Sequence, residues 1–333
     1  MSKLFIYNLN LTASITTPFV HGMDVHLLLF VVLFWFVIQG NASHQLLLPE
    51  EIYWKSMLPN TPMPKVIHNL IQPGNASTIF SEAQENTDPF PLDPRRARYG
   101  VAYIGQEGGE NVQKSTVANS TTVYFLIDDL IPGKNMMLTF TKSTNGSNFL
   151  PQQFAQTIPF STDNFSDILN YFSINPTSKQ ARIMKETIEE CEAPGVKGEE
   201  KYCSISLKSL VDFVVSKYGN KVEVFANEAE EENKKQKYII LEEIKMIGDS
   251  QIVCHKQRYP YAVFYCHIIM ATEAYLVPLV GEDGSKAEAV VVCHMNTSSW
   301  NPNHLAFQLL KVKPGGPPIC HFLNSDTIVW IPS

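Results

Sequence analysis

The sequence predicts an α+β protein: a short helical segment followed by a mostly antiparallel β-sheet or barrel stapled by disulfides. Three observations predict it. Residues 162–218 carry apolar side chains at helical spacing, with capping residues at the ends. From Val222 to Ile331 short β-rich runs follow one another. Cysteines bind the whole together, and four of the six are followed directly by histidine: Cys254-His255, Cys266-His267, Cys293-His294 and Cys320-His321.

The chain opens with a candidate export signal, residues 1–42. Leu27 to Ile38 is a run of 12 apolar residues, too short for a membrane span and the right length for a signal-peptide core. Ala42 and Gly40 give small residues for cleavage after position 42, and Met23 is an alternative start. An uncleaved anchor is the other reading. Membrane contact is expected only through this segment. Asn75, Asn119, Asn145, Asn164 and Asn296 open glycosylation triplets, in keeping with the secretory route.

Residues 43–120 read as a Pro-rich leader and linker, largely disordered. Pro49, Pro59, Pro62, Pro64, Pro73, Pro89, Pro91 and Pro94 interrupt any long helix or central strand. Arg95-Arg-Ala-Arg98 is a basic cluster that a secretory protease could cut. Tyr99-Gly-Val-Ala-Tyr103 is a single tyrosine-bounded stretch in flexible surroundings.

The folded part, 121–333, starts with strands over Val123–Leu126 and Met136–Phe140, joined through Pro132-Gly133. Helices follow over Thr162–Phe172, Ser178–Glu190 and Ile205–Tyr218. The second puts Ile183, Met184, Thr187, Ile188 and Cys191 on one face; the third spaces Leu207, Leu210, Val211 and Val214 for burial, with Gly219 as its stop. Cys191 and Cys203 flank Pro194-Gly195, and a local disulfide is the default reading. Strands are then expected over Val222–Phe225, Tyr238–Leu241, Ile244–Ile247, Gln251–Cys254, Ala262–His267, Ala274–Val280, Ala287–His294, Leu305–Val312 and Thr327–Ile331. Gly281 to Ser285 is a hairpin turn. The acidic-then-basic run 228–237 reads as a solvated loop.

Composition narrows the function. A 44% hydrophobic content allows a sizeable core, and a net charge of −7 offers no basic field for nucleic acid. Serine-hydrolase elbows, zinc-protease helices and phosphate-cradling loops are absent from the sequence.

The four Cys-His pairs carry the chemistry. Their gaps are 10, 25 and 25 residues. On a strand, successive side chains point to opposite faces, so sulfur and imidazole separate to opposite sides. Two disulfides among Cys254, Cys266, Cys293 and Cys320, in a pairing left open, would clamp the strands. The same clamping would gather His255, His267, His294 and His321. Clustered imidazole without carboxylate suits copper, zinc or nickel better than magnesium or calcium. His304, ten residues after His294, is an additional candidate ligand.

This pattern is similar to the signature of the plant BURP-domain family. Its surroundings agree: Val123-Tyr-Phe-Leu126, Phe149-Leu-Pro151, Ile158-Pro-Phe160, Cys191-Glu-Ala-Pro194, Gly198-Glu-Glu-Lys-Tyr-Cys203, Tyr259-Pro-Tyr261, Trp300-Asn-Pro302 and Trp330. The resemblance covers about residues 120–333 together with Tyr53-Trp-Lys55, and is strongest to the repeat-lacking seed and stress proteins. Some family members are copper-dependent peptide cyclases that crosslink a Tyr or Trp side chain of a core peptide in their own leader. The resemblance therefore implies copper, with zinc second, on His255, His267, His294 and His321. It implies structural roles for the cysteines, and Tyr99 or Tyr103 as crosslink substrate. This chain departs from the enzymatic members in lacking a repeated core peptide. A non-catalytic metal protein or a metal-free interaction module of cell wall, vacuole or seed matrix competes with the cyclase. Expected partners are the chain's own leader or wall components.

Overall fold

A computed structural model describes residues 47–72, 124–142, 147–195, 198–232 and 234–333. The signal segment 1–42, the Arg95–Arg98 cluster, Tyr99, Tyr103 and the triplets at Asn75, Asn119 and Asn145 lie outside the described residues. Among the described residues, no helix is long and apolar enough to cross a membrane.

In chain order the elements are α1 (Pro49–Met57), α2 (Lys65–Ile71), β1 (Phe125–Leu126), β2 (Asn135–Leu138), α3 (Gln152–Ala155), α4 (Phe165–Tyr171), α5 (Lys179–Glu192), β3 (Glu199–Ser204) and α6 (Leu207–Tyr218). Then come β4 (Val222–Phe225), β5 (Glu228–Ala229), β6 (Gln236–Ile240), β7 (Lys245–Gly248), β8 (Ile252–Lys256), β9 (Phe264–Ile269), β10 (Thr272–Gly281) and β11 (Lys286–His294). The chain closes with α7 (Leu305–Leu310), β12 (Ile319–Phe322) and β13 (Ile328–Pro332). The α+β expectation holds, with helices concentrated before the strands.

The strands form two antiparallel sheets. The larger has eight strands, in the order β1-β12-β11-β10-β6-β2, with β5 on β11 and β7 on β10. The smaller runs β3-β9-β8-β13-β4. One apolar cluster joins Val253, Val329 and Ile331 of the smaller sheet to Ala274, Val290 and Val292 of the larger. These side chains define the faces that the two sheets turn toward each other.

The helices form for local reasons. Ser178 caps α5 by accepting from the Ala181 N–H at 3.0 Å, and Ser206 caps α6 through Ser209. Gly219 ends α6 at φ 70°, a conformation that disfavours a side chain. The face of α6 that buries Leu207, Leu210, Val211 and Val214 packs on the outer side of the smaller sheet.

Two expectations are corrected. The leader was expected to be largely disordered from residue 43, yet α1 and α2 are folded onto the domain. Trp54, Leu58, Ile67, Leu70 and Ile71 are buried in one core with Cys254, Cys266 and Trp330. Proline permits this because of where it falls: Pro49 occupies the first helical turn, and Pro64 sits at the N-cap of α2. The second correction is Leu305–Val312, expected as a strand. It is the helix α7, followed at Lys311 by a left-handed residue at φ 57°. A short apolar run is compatible with either period, and here His304 caps it as a helix.

The sequence reading also passed over β3, whose Glu-Glu-Lys-Tyr-Cys-Ser has little β character. It pairs fully with β9, from Glu199 opposite Ile269 to Ser204 opposite Phe264.

Candidate functional site

The cysteines pair as three disulfides: Cys191–Cys203, Cys254–Cys266 and Cys293–Cys320. The last two link residues directly opposite each other, on β8 and β9 and on β11 and β12. Each Cys-His motif therefore contributes to one bonded strand pair, one pair in each sheet. Cys254 and Cys266 face the core under α1 and α6; Cys293 and Cys320 face the outer core of the larger sheet.

Strand alternation then dictates where the rings go. Cys254 pairs with Cys266, so the neighbouring pairs Val253 with His267 and His255 with Tyr265 lie on the other face. Likewise Val292 pairs with His321, and His294 with Ile319. Val253 and Val292 belong to the layer between the sheets. All four motif imidazoles thus sit on inward-turned faces, and each is at least 91% buried, with exposures of 5%, 4%, 3% and 9% for His255, His267, His294 and His321.

The rings form two couples. The Nε2 atoms of His255 and His267 are 3.3 Å apart. The His294 and His321 rings stack with centroids 5.6 Å apart, inclined by 15°. Burial pushes the pKa of His255 and of His294 well below the ordinary histidine value, and the neighbouring rings add to it. Burial likewise brings His321 down to about 4. These rings are neutral at pH 7, the state in which imidazole donates a lone pair. The electrostatic influences run across the sheets, His294 feeling His267 and His255 as well as His321.

The Nδ1 contacts share a sense. His267 Nδ1 lies 2.8 Å from Glu199 Oε1, and His321 Nδ1 lies 3.3 Å from the Phe322 carbonyl oxygen. Both partners accept, so Nδ1 is the donating nitrogen in both rings, and in a neutral ring Nε2 is then the lone-pair nitrogen. His255 Nδ1 faces the Thr327 hydroxyl at 3.5 Å, and His294 Nδ1 faces the Thr272 hydroxyl at 3.4 Å.

His304 is arranged the other way. Its Nδ1 accepts the Ala306 N–H at 3.1 Å and caps α7. Its proton therefore belongs on Nε2. The ring packs against Trp300, with centroids 4.6 Å apart, and burial lowers its pKa to about 4. Trp300 also meets His294 edge-on at 4.9 Å. Tyr124, where the described chain resumes after residue 72, packs on both His304 and His321, at 5.6 and 5.9 Å.

The sequence reading missed Glu199. Its carboxylate is buried, at 2% side-chain exposure, and accepts both from His267 and from the Tyr265 hydroxyl at 2.8 Å. The one available signal was Gly198-Glu199 next to the cysteine motif. Among the described residues, no group of three or more His, Cys, Asp or Glu side chains stands close enough to hold one ion as placed.

Fold and site define a disulfide-stapled two-sheet protein that gathers buried imidazoles between its sheets. The BURP domain family model matches residues 123–332. The chain is 50% identical over 244 residues to BURP domain protein RD22 of Arabidopsis thaliana, covering 68% of this chain and 62% of that protein. It is 39% identical over 298 residues to BURP domain-containing protein 5 of Oryza sativa subsp. japonica, covering 88% and 89%. Protein RAFTIN 1B of Triticum aestivum is 29% identical over 334 residues, covering 87% and 92%. The chain spans as little as 51% and 38% of two longer rice relatives. It belongs to the plant BURP-domain family.

Proposed function

We propose that this is a secreted BURP-domain protein that binds copper between its two sheets through His255, His267, His294 and His321, and that it acts oxidatively on its own leader. What supports the metal is the donor set: four buried rings, paired by adjacent disulfides, two of them held in the Nδ1–H tautomer. Two nitrogens held tetrahedrally at about 2.0–2.1 Å from one ion stand roughly 3.3–3.4 Å apart. The His255 and His267 nitrogens, 3.3 Å apart, match that edge. Imidazole donors suit copper first and zinc second, and only copper of the two changes oxidation state. His304 is assigned to capping rather than ligation.

Support for the leader as substrate comes from connectivity. Residues 73–123 join Gln72 to Tyr124, whose ring rests on His321. Bound copper would supply one-electron oxidation of a phenol, with dioxygen as the terminal acceptor. The chain's own residues would keep water from the rings, through Trp300 and Tyr124, and fix which nitrogen each ring offers. A second reading, a metal-binding structural protein without turnover, is favoured by the single Tyr99–Tyr103 stretch.

Elemental analysis of the purified chain tests the metal. About one or two copper ions per chain are expected, falling in His294→Ala. Mass spectrometry after Cu(II) and dioxygen then tests turnover. Loss of two hydrogens mapped to the Tyr99–Tyr103 peptide supports the cyclase; copper without that loss leaves the structural reading. A metal-free wild type refutes both.

A further inference from the structure

We propose that Glu199 is a positioning residue for the imidazole pair: it fixes the tautomer and tilt of His267 so that Nε2 is presented toward His255. The metal half of this proposal rests on the copper reading above; the tautomer half does not.

Three features carry it. The first is the contact itself. A buried carboxylate accepts from His267 Nδ1 at 2.8 Å, while His267 Nε2 stands 3.3 Å from His255 Nε2. A carboxylate behind the non-ligating nitrogen is the usual way a protein orients a ligating histidine and raises its basicity. The second is a contrast among the described contacts: Nδ1 of His255 and of His294 faces a threonine hydroxyl and Nδ1 of His321 faces the Phe322 carbonyl, whereas Nδ1 of His267 meets a buried carboxylate.

The third is how firmly the chain delivers it. Gly198, at φ 88°, immediately precedes β3 in a conformation that disfavours a side chain. At Gly195 a β-carbon would come within 2.9 Å of the Glu199 carbonyl oxygen, so that position also favours glycine. Downstream, Cys203 ties the same strand to Cys191 on α5. Lys201 donates to the Glu190 carbonyl and lies 5.3 Å over the Tyr265 ring. Cys203, Lys201 and Glu199 alternate onto the face shared by Tyr265, His267 and Ile269. The disulfide outside the Cys-His motifs therefore braces the strand that orients His267.

The test uses the full chain with Cu(II) as probe. Glu199→Gln keeps the shape and removes the charge; it is expected to weaken copper binding about 10- to 100-fold. Tyr265→Phe removes another donor to the same oxygen and is expected to stay within about twofold. In a His267→Ala background, Glu199→Gln should add little, because the residues act as a unit. A merely structural role would lower affinity equally in both backgrounds. Independently of metal, nitrogen NMR of the copper-free chain should find His267 as Nδ1–H in the wild type and shifted toward Nε2–H in Glu199→Gln. Wild-type His267 as Nε2–H overturns the proposal, as does unchanged copper affinity in Glu199→Gln. A wild type that binds no copper but has His267 as Nδ1–H sinks the copper reading and leaves the positioning role standing.

Discussion

Removing the Trp54 indole is the sharpest test of the folded leader. Trp54 is 2% exposed, packs against Trp330 with ring centroids 5.5 Å apart and planes tilted by 35°, and donates its indole N–H to the Thr61 carbonyl at 2.8 Å. Trp54→Ala removes a large buried ring and leaves a cavity, costing about 3–5 kcal/mol. Within that total, about 0.5–1.5 kcal/mol is the ring pair and about 1 kcal/mol the hydrogen bond. A domain holds about 5–15 kcal/mol in all, so roughly a fifth or more of its stability is at stake. At roughly 2–4 °C per kcal/mol, the melting midpoint should drop by about 6–20 °C. Circular dichroism melts measure the drop. Limited proteolysis locates it, with cuts appearing first between residues 47 and 72. A Trp54→Ala protein that melts within about 2 °C of wild type and resists cleavage there would refute the claim that α1 belongs to the core.

Other outcomes follow from the same geometry. A protease site inserted between residues 73 and 123 and cut should leave the 47–72 piece bound to the rest through gel filtration, held by Trp54, Leu58 and Ile67; separation of a still-folded domain would contradict the packing. The paired replacement Cys293→Ser with Cys320→Ser opens a 27-residue separation and should cost about 3.5 kcal/mol on a chain-entropy estimate, read from urea unfolding. Acid should destabilise the copper-free chain. Burial holds His304 and His321 near 4 in the folded state against 6.5 when unfolded, so the unfolded state binds more protons between those values. That stability, on the order of 3 kcal/mol per ring, is complete above about pH 6.5 and lost as pH falls toward 4. His304→Asn keeps a capping acceptor and should flatten part of the slope in urea midpoint against pH.

The sequence made the site's logic legible because strand alternation is rigid. Once Cys254 and Cys266 lie opposite each other, His255 and His267 have no choice of face. The helices α5 and α6 were legible for a similar reason: Ser178, Ser206 and Gly219 mark their ends and the buried residues recur at helical spacing. What stayed hidden was tertiary. Nothing local in Glu199–Ser204 says strand; pairing with β9 makes it one. The prolines around Trp54 read as disorder until their positions at helix starts are seen. His304 looked like a fifth ligand by spacing, but the direction of its Nδ1 contact is visible only in three dimensions.

Each imidazole of the site is one residue from a cystine, and that adjacency ties ligand geometry to redox surroundings. In a glutathione-rich cytosol the four sulfurs would stay reduced, and the strand pairs would hold their rings by hydrogen bonds and packing alone. Export into an oxidising lumen would then tighten both couples as the crossbridges close. A chain produced in a reducing host is the wrong material for weighing copper. The thiol state should be counted before any ion is.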